Sequence, residues 1–180
     1  MSNTAIFSVD RVYRYVLERD VYHNLRGAVG NLTIGFCGVN PSDADEVKDD
    51  QTVKKWRIFA GILGGRRYLA FNPLAAVATN VRDLAAMADP VGPLNPVHFH
   101  DSIAECDIVV PCWGNASKLP PRLRHHLEEA KRIIFLSGKP VKIFGLTKSG
   151  DPMHPLMLGY NTQLIDWLLP TTHANEGERK

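Results

Sequence analysis

Apolar residues in this 180-residue chain fall into short continuous runs that alternate with segments of helical spacing. The run Leu32-Thr33-Ile34-Gly35-Phe36-Cys37-Gly38-Val39 predicts a buried strand. Asn40-Pro41-Ser42 stops it, because proline lacks a ladder donor and asparagine accepts turn geometry. Residues 52–63 place Val53, Trp56, Phe59, Ala60 and Leu63 at helical spacing. Asp49 and Asp50 precede them, where carboxylates complement the helix dipole. Gly64-Gly65 closes that helix and leads to a second strand over 68–71. Further along, the pattern predicts a short helix at 80–87, a helix at 96–106, a strand at 107–112 and a helix at 120–130. A strand at 141–146 and a closing helix at 157–169 complete the series. Residues 13–17 fit a strand or a short helix, and 133–136 either extend the preceding helix or add a strand.

Strands alternating with helices predict an α/β fold. The expected architecture is one domain over residues 1–170, a three-layer sandwich about a mostly parallel sheet of four or five strands. Residues 171–180 are expected to form a flexible tail.

Composition narrows the class. With 44% hydrophobic and 22% charged residues the chain can bury a substantial core. A net charge of +2 permits nucleic-acid binding without demanding it, so any DNA contact needs a local patch. The three cysteines, Cys37, Cys106 and Cys112, form no CxxC pair and read as reduced, buried thiols. No apolar stretch approaches about 18 residues, and the start of the sequence lacks a basic-then-apolar leader. The expectation is a cytoplasmic monomer with no membrane association.

Four predicted strands end in polar or glycine turns: Gly38-Val39-Asn40-Pro41, Phe71-Asn72-Pro73, Cys112-Trp113-Gly114 and, after the last, Met153-His154-Pro155. Four such ends on one sheet edge would build a polar cleft. In this order they resemble the uracil-DNA glycosylase superfamily. There a Gly-x-Asn-Pro turn carries the first catalytic motif, an asparagine reads the pyrimidine edge, and a His-Pro motif faces the scissile bond. The stretches NPSDAD, DDQT and TKSGDPMHPL also resemble an uncharacterised bacterial and phage domain family, with Gln51 where that signature has proline.

The resemblance implies a uracil-DNA glycosylase-like fold and hydrolysis of an N-glycosidic bond of a flipped or single-stranded base in DNA, with no cofactor and no metal. Asn40 would position the attacking water, although an amide cannot accept its proton as the aspartate of other branches does. Asp43 or Asp45 would then supply the carboxylate, raised in pKa by desolvation. The competing reading is a solvated acidic loop capping the next helix. His154 would donate to the base carbonyl as charge develops there. Asn72, Trp113 and Ser42 are the base-contacting candidates. A turn-forming Asn72 and a core-filling Trp113 are the plainer alternatives. Lys148 and Ser149 are the DNA-phosphate candidates. The stretch Lys118, Arg122, Arg124 reads first as an exposed helix face. Two other function classes remain in play: a non-catalytic nucleic-acid or nucleotide-binding module, and a metal-dependent nuclease built on Asp43, Asp45, Asp49 and Asp50.

Overall fold

A computed structural model describes residues 3–21, 30–42 and 44–168. Its centre is a five-stranded sheet in the order β1-β2-β4-β3-β5. The strands are β1 (Thr4–Phe7), β2 (Arg14–Asp20), β3 (Leu32–Cys37), β4 (Gly65–Phe71) and β5 (Ile108–Pro111). β3 runs parallel to both β4 and β5, whereas β1–β2 and β2–β4 are antiparallel. The sheet is therefore mixed, which corrects the expectation of a mostly parallel one. The cause is the N-terminal hairpin. Residues 14–20 form an antiparallel hairpin with β1 and pair antiparallel with β4 on their other side. That turn contains Arg11 at φ 58°, pinned by a two-pronged ion pair to Glu46.

Helices cover both faces. α1 (Gln51–Ile62) buries Val53, Trp56, Phe59 and Ala60 against Phe36, Tyr68 and Val110. Asp50 caps it, accepting from the Val53 N–H at 2.8 Å. Gly64, at φ +77°, carries the chain out of the helix as the Gly64-Gly65 pair predicted. On the other face, α2 (Asn95–Glu105) and α3 (His125–Leu136) contribute Phe99, Ile103, Leu127, Ala130 and Ile134 to a second core with Phe71 and Val109.

Several elements differ from the sequence pattern. The predicted helix at 80–87 is a 3-10 turn, Asp83–Ala86. The helix predicted at 120–130 is a 3-10 turn, Pro121–Leu123, followed by α3, so 133–136 extend that helix. At 141–146 only β6 (Lys142–Ile143) is strand. It pairs antiparallel with β7 (Ile165–Asp166), and Val141 makes one parallel bridge to Val109. The closing helix is absent: 155–157 form a 3-10 turn and the chain then runs to β7. Gly159, Asn161 and Thr162 interrupt that segment with a turn, which its apolar spacing alone does not reveal. Among the described residues no helix is long and apolar enough to cross a membrane. The expected tail at 171–180 lies outside the described residues.

Candidate functional site

The parallel strands β4, β3 and β5 end side by side, with Cys37 in register with Phe71 on one side and Pro111 on the other. The next residues continue the alignment: the Gly38 N–H donates to Phe71 O at 3.2 Å and the Cys112 N–H to Cys37 O at 2.8 Å. Gly38, Asn72 and the Cys112-Trp113-Gly114 turn therefore stand on one edge.

Asn72 is 2% exposed and its side-chain oxygen has no hydrogen-bond partner among the described residues. That oxygen reaches over the end of β3, where Gly38 offers no side chain to block it. A β-carbon on Gly38 would stand 2.8 Å from Asn72 Oδ1 and 3.7 Å from the Trp56 ring. Trp56 stacks on Phe36, ring centres 5.6 Å apart at 11°, and closes this side of the edge.

His154 approaches from the other side. It packs against Gly114, whose φ of +75° suits glycine and whose β-carbon would fall 3.2 Å from His154 Cβ. His154 Nδ1 accepts the Leu156 N–H at 3.3 Å. In the neutral ring the proton is therefore on Nε2, which makes Nε2–H a donor. Desolvation lowers the His154 pKa below the usual imidazole value, Lys118 adds to the effect, and Asp50 opposes it. The neutral donor form thus prevails at neutral pH.

Asp50 joins the two halves. Its Oδ2 accepts from Ser42 Oγ at 2.5 Å while Oδ1 caps α1. Ser42 is thereby placed at this edge, as a support for Asp50.

Asn40 is differently engaged from its expected role. Its amide nitrogen donates to Pro41 O at 2.8 Å and Ala78 O at 2.7 Å, stitching the first turn to the 74–78 segment. Asp45 caps its own loop: its Oδ1 accepts from the N–H groups of Val47 and Lys48, both at 2.8 Å, and these bonds lower its pKa. The expected desolvated, raised carboxylate is not found at Asp45. Asp43 lies outside the described residues. Trp113 is 6% exposed and sits in the core, edge-on to Trp167 at 6.1 Å. It fills space there rather than offering a stacking face. Ser149 donates to Asp151 at 2.7 Å, and Asp151 in turn accepts the Ala116 N–H, so the Ser149 hydroxyl builds the 147–151 turn. Lys148 is exposed beside it.

Two residues of this region escape a sequence reading. Arg14 and Arg19, on β2, are 3% and 0% exposed and hold the acidic loop from beneath. Arg19 pairs with Asp49 at 2.8 Å and reaches Asp45 O, and Arg57 binds the other oxygen of Asp49 at 2.8 Å. Arg14 donates to Ala44 O. Burial draws its pKa down to about 10, with Asp50 opposing. The acidic loop is thus latched by buried arginines that lie about 30 residues before it in the chain. Among the described residues no three His, Cys, Asp or Glu side chains are grouped to hold a metal ion. All three cysteines are buried and unpaired by disulfides. Burial pushes the thiols of Cys106 and Cys112 up to about 12 and raises that of Cys37 well above its ordinary value, so none is a reactive thiolate.

Residues 14–156 match the model of a family described as "Protein of unknown function (DUF1643)". The chain belongs to that family. Searches of curated proteins and of solved structures give no match. The family match runs from Arg14, beneath the acidic loop, to Leu156, whose N–H fixes the His154 tautomer. Ser42, Asp50, Asn72, Gly114 and Lys118 all lie between.

Proposed function

We propose that the protein binds a flipped or single-stranded base of DNA at the β3–β4–β5 edge and hydrolyses its N-glycosidic bond, with an architecture akin to the uracil-DNA glycosylases. One observation carries the reading: a buried acceptor without a protein donor, Asn72 Oδ1, shares this edge with the Nε2–H donor of His154. An imide edge supplies the complement. Its N–H meets Asn72 and its carbonyl oxygen meets His154. Asn72 is enclosed, so admission of a base requires the turn at 38–42 to shift. Unstacking the base from its neighbours is the other requirement.

As the C–N bond breaks, its electron pair goes to the base and negative charge grows on the carbonyl oxygen. His154 Nε2–H stabilises that charge, a role worth about 3 kcal/mol in comparable sites. Water adds to the sugar carbon and releases a proton. Asp50, oriented by Ser42, takes the carboxylate role that the sequence assigned to Asp43 or Asp45. Lys118 and Lys148 supply phosphate contacts.

A non-catalytic base-binding module is the second reading, favoured by the engagement of the Asn40 amide with backbone carbonyls. The deciding experiment incubates the protein in EDTA with single-stranded oligonucleotides carrying uracil, hypoxanthine or modified pyrimidines. The expected result is an alkali-labile abasic site with at least one of them. It should be lost in His154→Ala and Asp50→Asn. Binding without abasic product selects the module, and strand cleavage abolished by EDTA selects a nuclease.

A further inference from the structure

A cleft of about 270 Å³ opens between α2 and α3, on the far side of β4 from α1. Its walls include Pro73, Phe99, Ala130 and Ile133, and its polar lining is Asn95, His100, His126 and Glu129. Asn95 is 2% exposed. Its amide nitrogen donates to Asn72 O at 3.0 Å and to Pro73 O at 3.1 Å. The nitrogen is thereby fixed toward the strand end, and the side-chain oxygen lies on the opposite side of the amide. That oxygen is closed off from solvent and has no partner among the described residues, so a ligand in the cleft reaches it only as the surrounding wall gives way. An enclosed carbonyl without a donor costs about 1–3 kcal/mol, so a donor brought by a ligand gains that amount in addition to its own contacts.

We propose that this cleft is a second binding site, for an uncharged planar heterocycle that presents an N–H donor to Asn95 Oδ1. The apolar walls of Phe99, Pro73 and Ile133 suit the faces of a flat ring. His126 sits at the polar end, and desolvation lowers its pKa, so at neutral pH it offers one N–H and one lone pair. Glu129, at the rim, is already paired with Arg132 at 2.7 Å, which leaves little net charge to attract an ion. Asn95 also gives the site a consequence. The amide that receives the ligand is the amide that clamps the Asn72-Pro73 backbone, so occupancy is transmitted to the first cleft through a single side chain. The proposal does not depend on base excision.

The test is a ¹H–¹⁵N NMR titration of the full chain with benzimidazole and with 1-methylbenzimidazole, which lacks the N–H. Benzimidazole is expected to give saturable shifts at Asn95, Phe99 and His126 and smaller ones at Asn72. The methylated probe is expected to bind about tenfold more weakly, the loss of one hydrogen bond to a buried acceptor. Ile133→Trp, which fills the cleft from its half-buried rim, is expected to abolish the shifts while the rest of the spectrum is retained. Equal affinity for the two probes, shifts that survive Ile133→Trp, or no saturable shift at the cleft residues would each overturn the proposal.

Discussion

The side-chain oxygen of Asn72 stands 2.8 Å from the point where a β-carbon on Gly38 would lie. The bare end of β3 is what allows a residue of the neighbouring strand to reach across the sheet edge. Gly38→Ala is therefore expected to push the Asn72 amide aside. Unfolding free energy should fall by only about 1–3 kcal/mol, since the displaced atom is a side-chain end. Base affinity should fall further than stability does. Urea denaturation and oligonucleotide binding, measured on one preparation, separate the two.

Asn40→Asp would introduce the residue found in aspartate-bearing glycosylases, yet the geometry opposes it. The Asn40 nitrogen donates to two backbone carbonyls, and a carboxylate oxygen there would face both with no proton to share. The expected outcome is a loss of about 1–3 kcal/mol of stability and no gain in excision rate. A faster, stable variant would return Asn40 to the centre of the chemistry.

Arg19→Met leaves Asp49 with Arg57 as its remaining ion-pair partner and frees Asp45 O. Breaking a buried pair from one side costs about 3 kcal/mol or more. The double variant Arg19→Met, Asp49→Leu removes both charges and is expected to lose less than Arg19→Met alone. Chemical denaturation of the three proteins checks the order.

His154 is harder to protonate in the folded protein than in the unfolded chain. Below about pH 6.5 the unfolded chain takes up a proton that the folded one refuses. Stability should therefore decline as pH falls through that value, and the decline should be complete below the folded pKa. His126 shifts in the same direction, so His154→Gln is expected to reduce the decline rather than abolish it. Lys118→Met should move the His154 titration upward and Asp50→Asn should move it downward. NMR of the imidazole carbon-bound protons reads both.

The sequence carried the parts of this molecule that are local. Val53, Trp56, Phe59 and Ala60 announced α1 by spacing, and the run ending at Cys37 announced β3. Asn72 and His154 were legible as polar residues on turns after apolar runs. Partnership across the chain was not legible. Tyr15, Val16 and Leu17 gave no sign that β2 would enter the sheet antiparallel to β4, because strand direction depends on which chain segment lies beside it. The latch of Arg19 on Asp49 was hidden for the same reason. Residues 157–169 have enough apolar members to suggest a helix, but Ile165 and Leu168 are 55% and 79% exposed, so that face has no core to meet.

β1 has only four residues, and its register with β2 slips between Ile6 and Phe7. As the outer strand it presents the sheet's free edge to solvent, and a short, kinked edge is a poor template for a second chain. β2 behind it is longer, with Tyr15, Val16 and Leu17 in succession. Without that cover, β2 would become a seven-residue adhesive margin. The first hairpin thus exchanges a seven-residue free edge for a four-residue one.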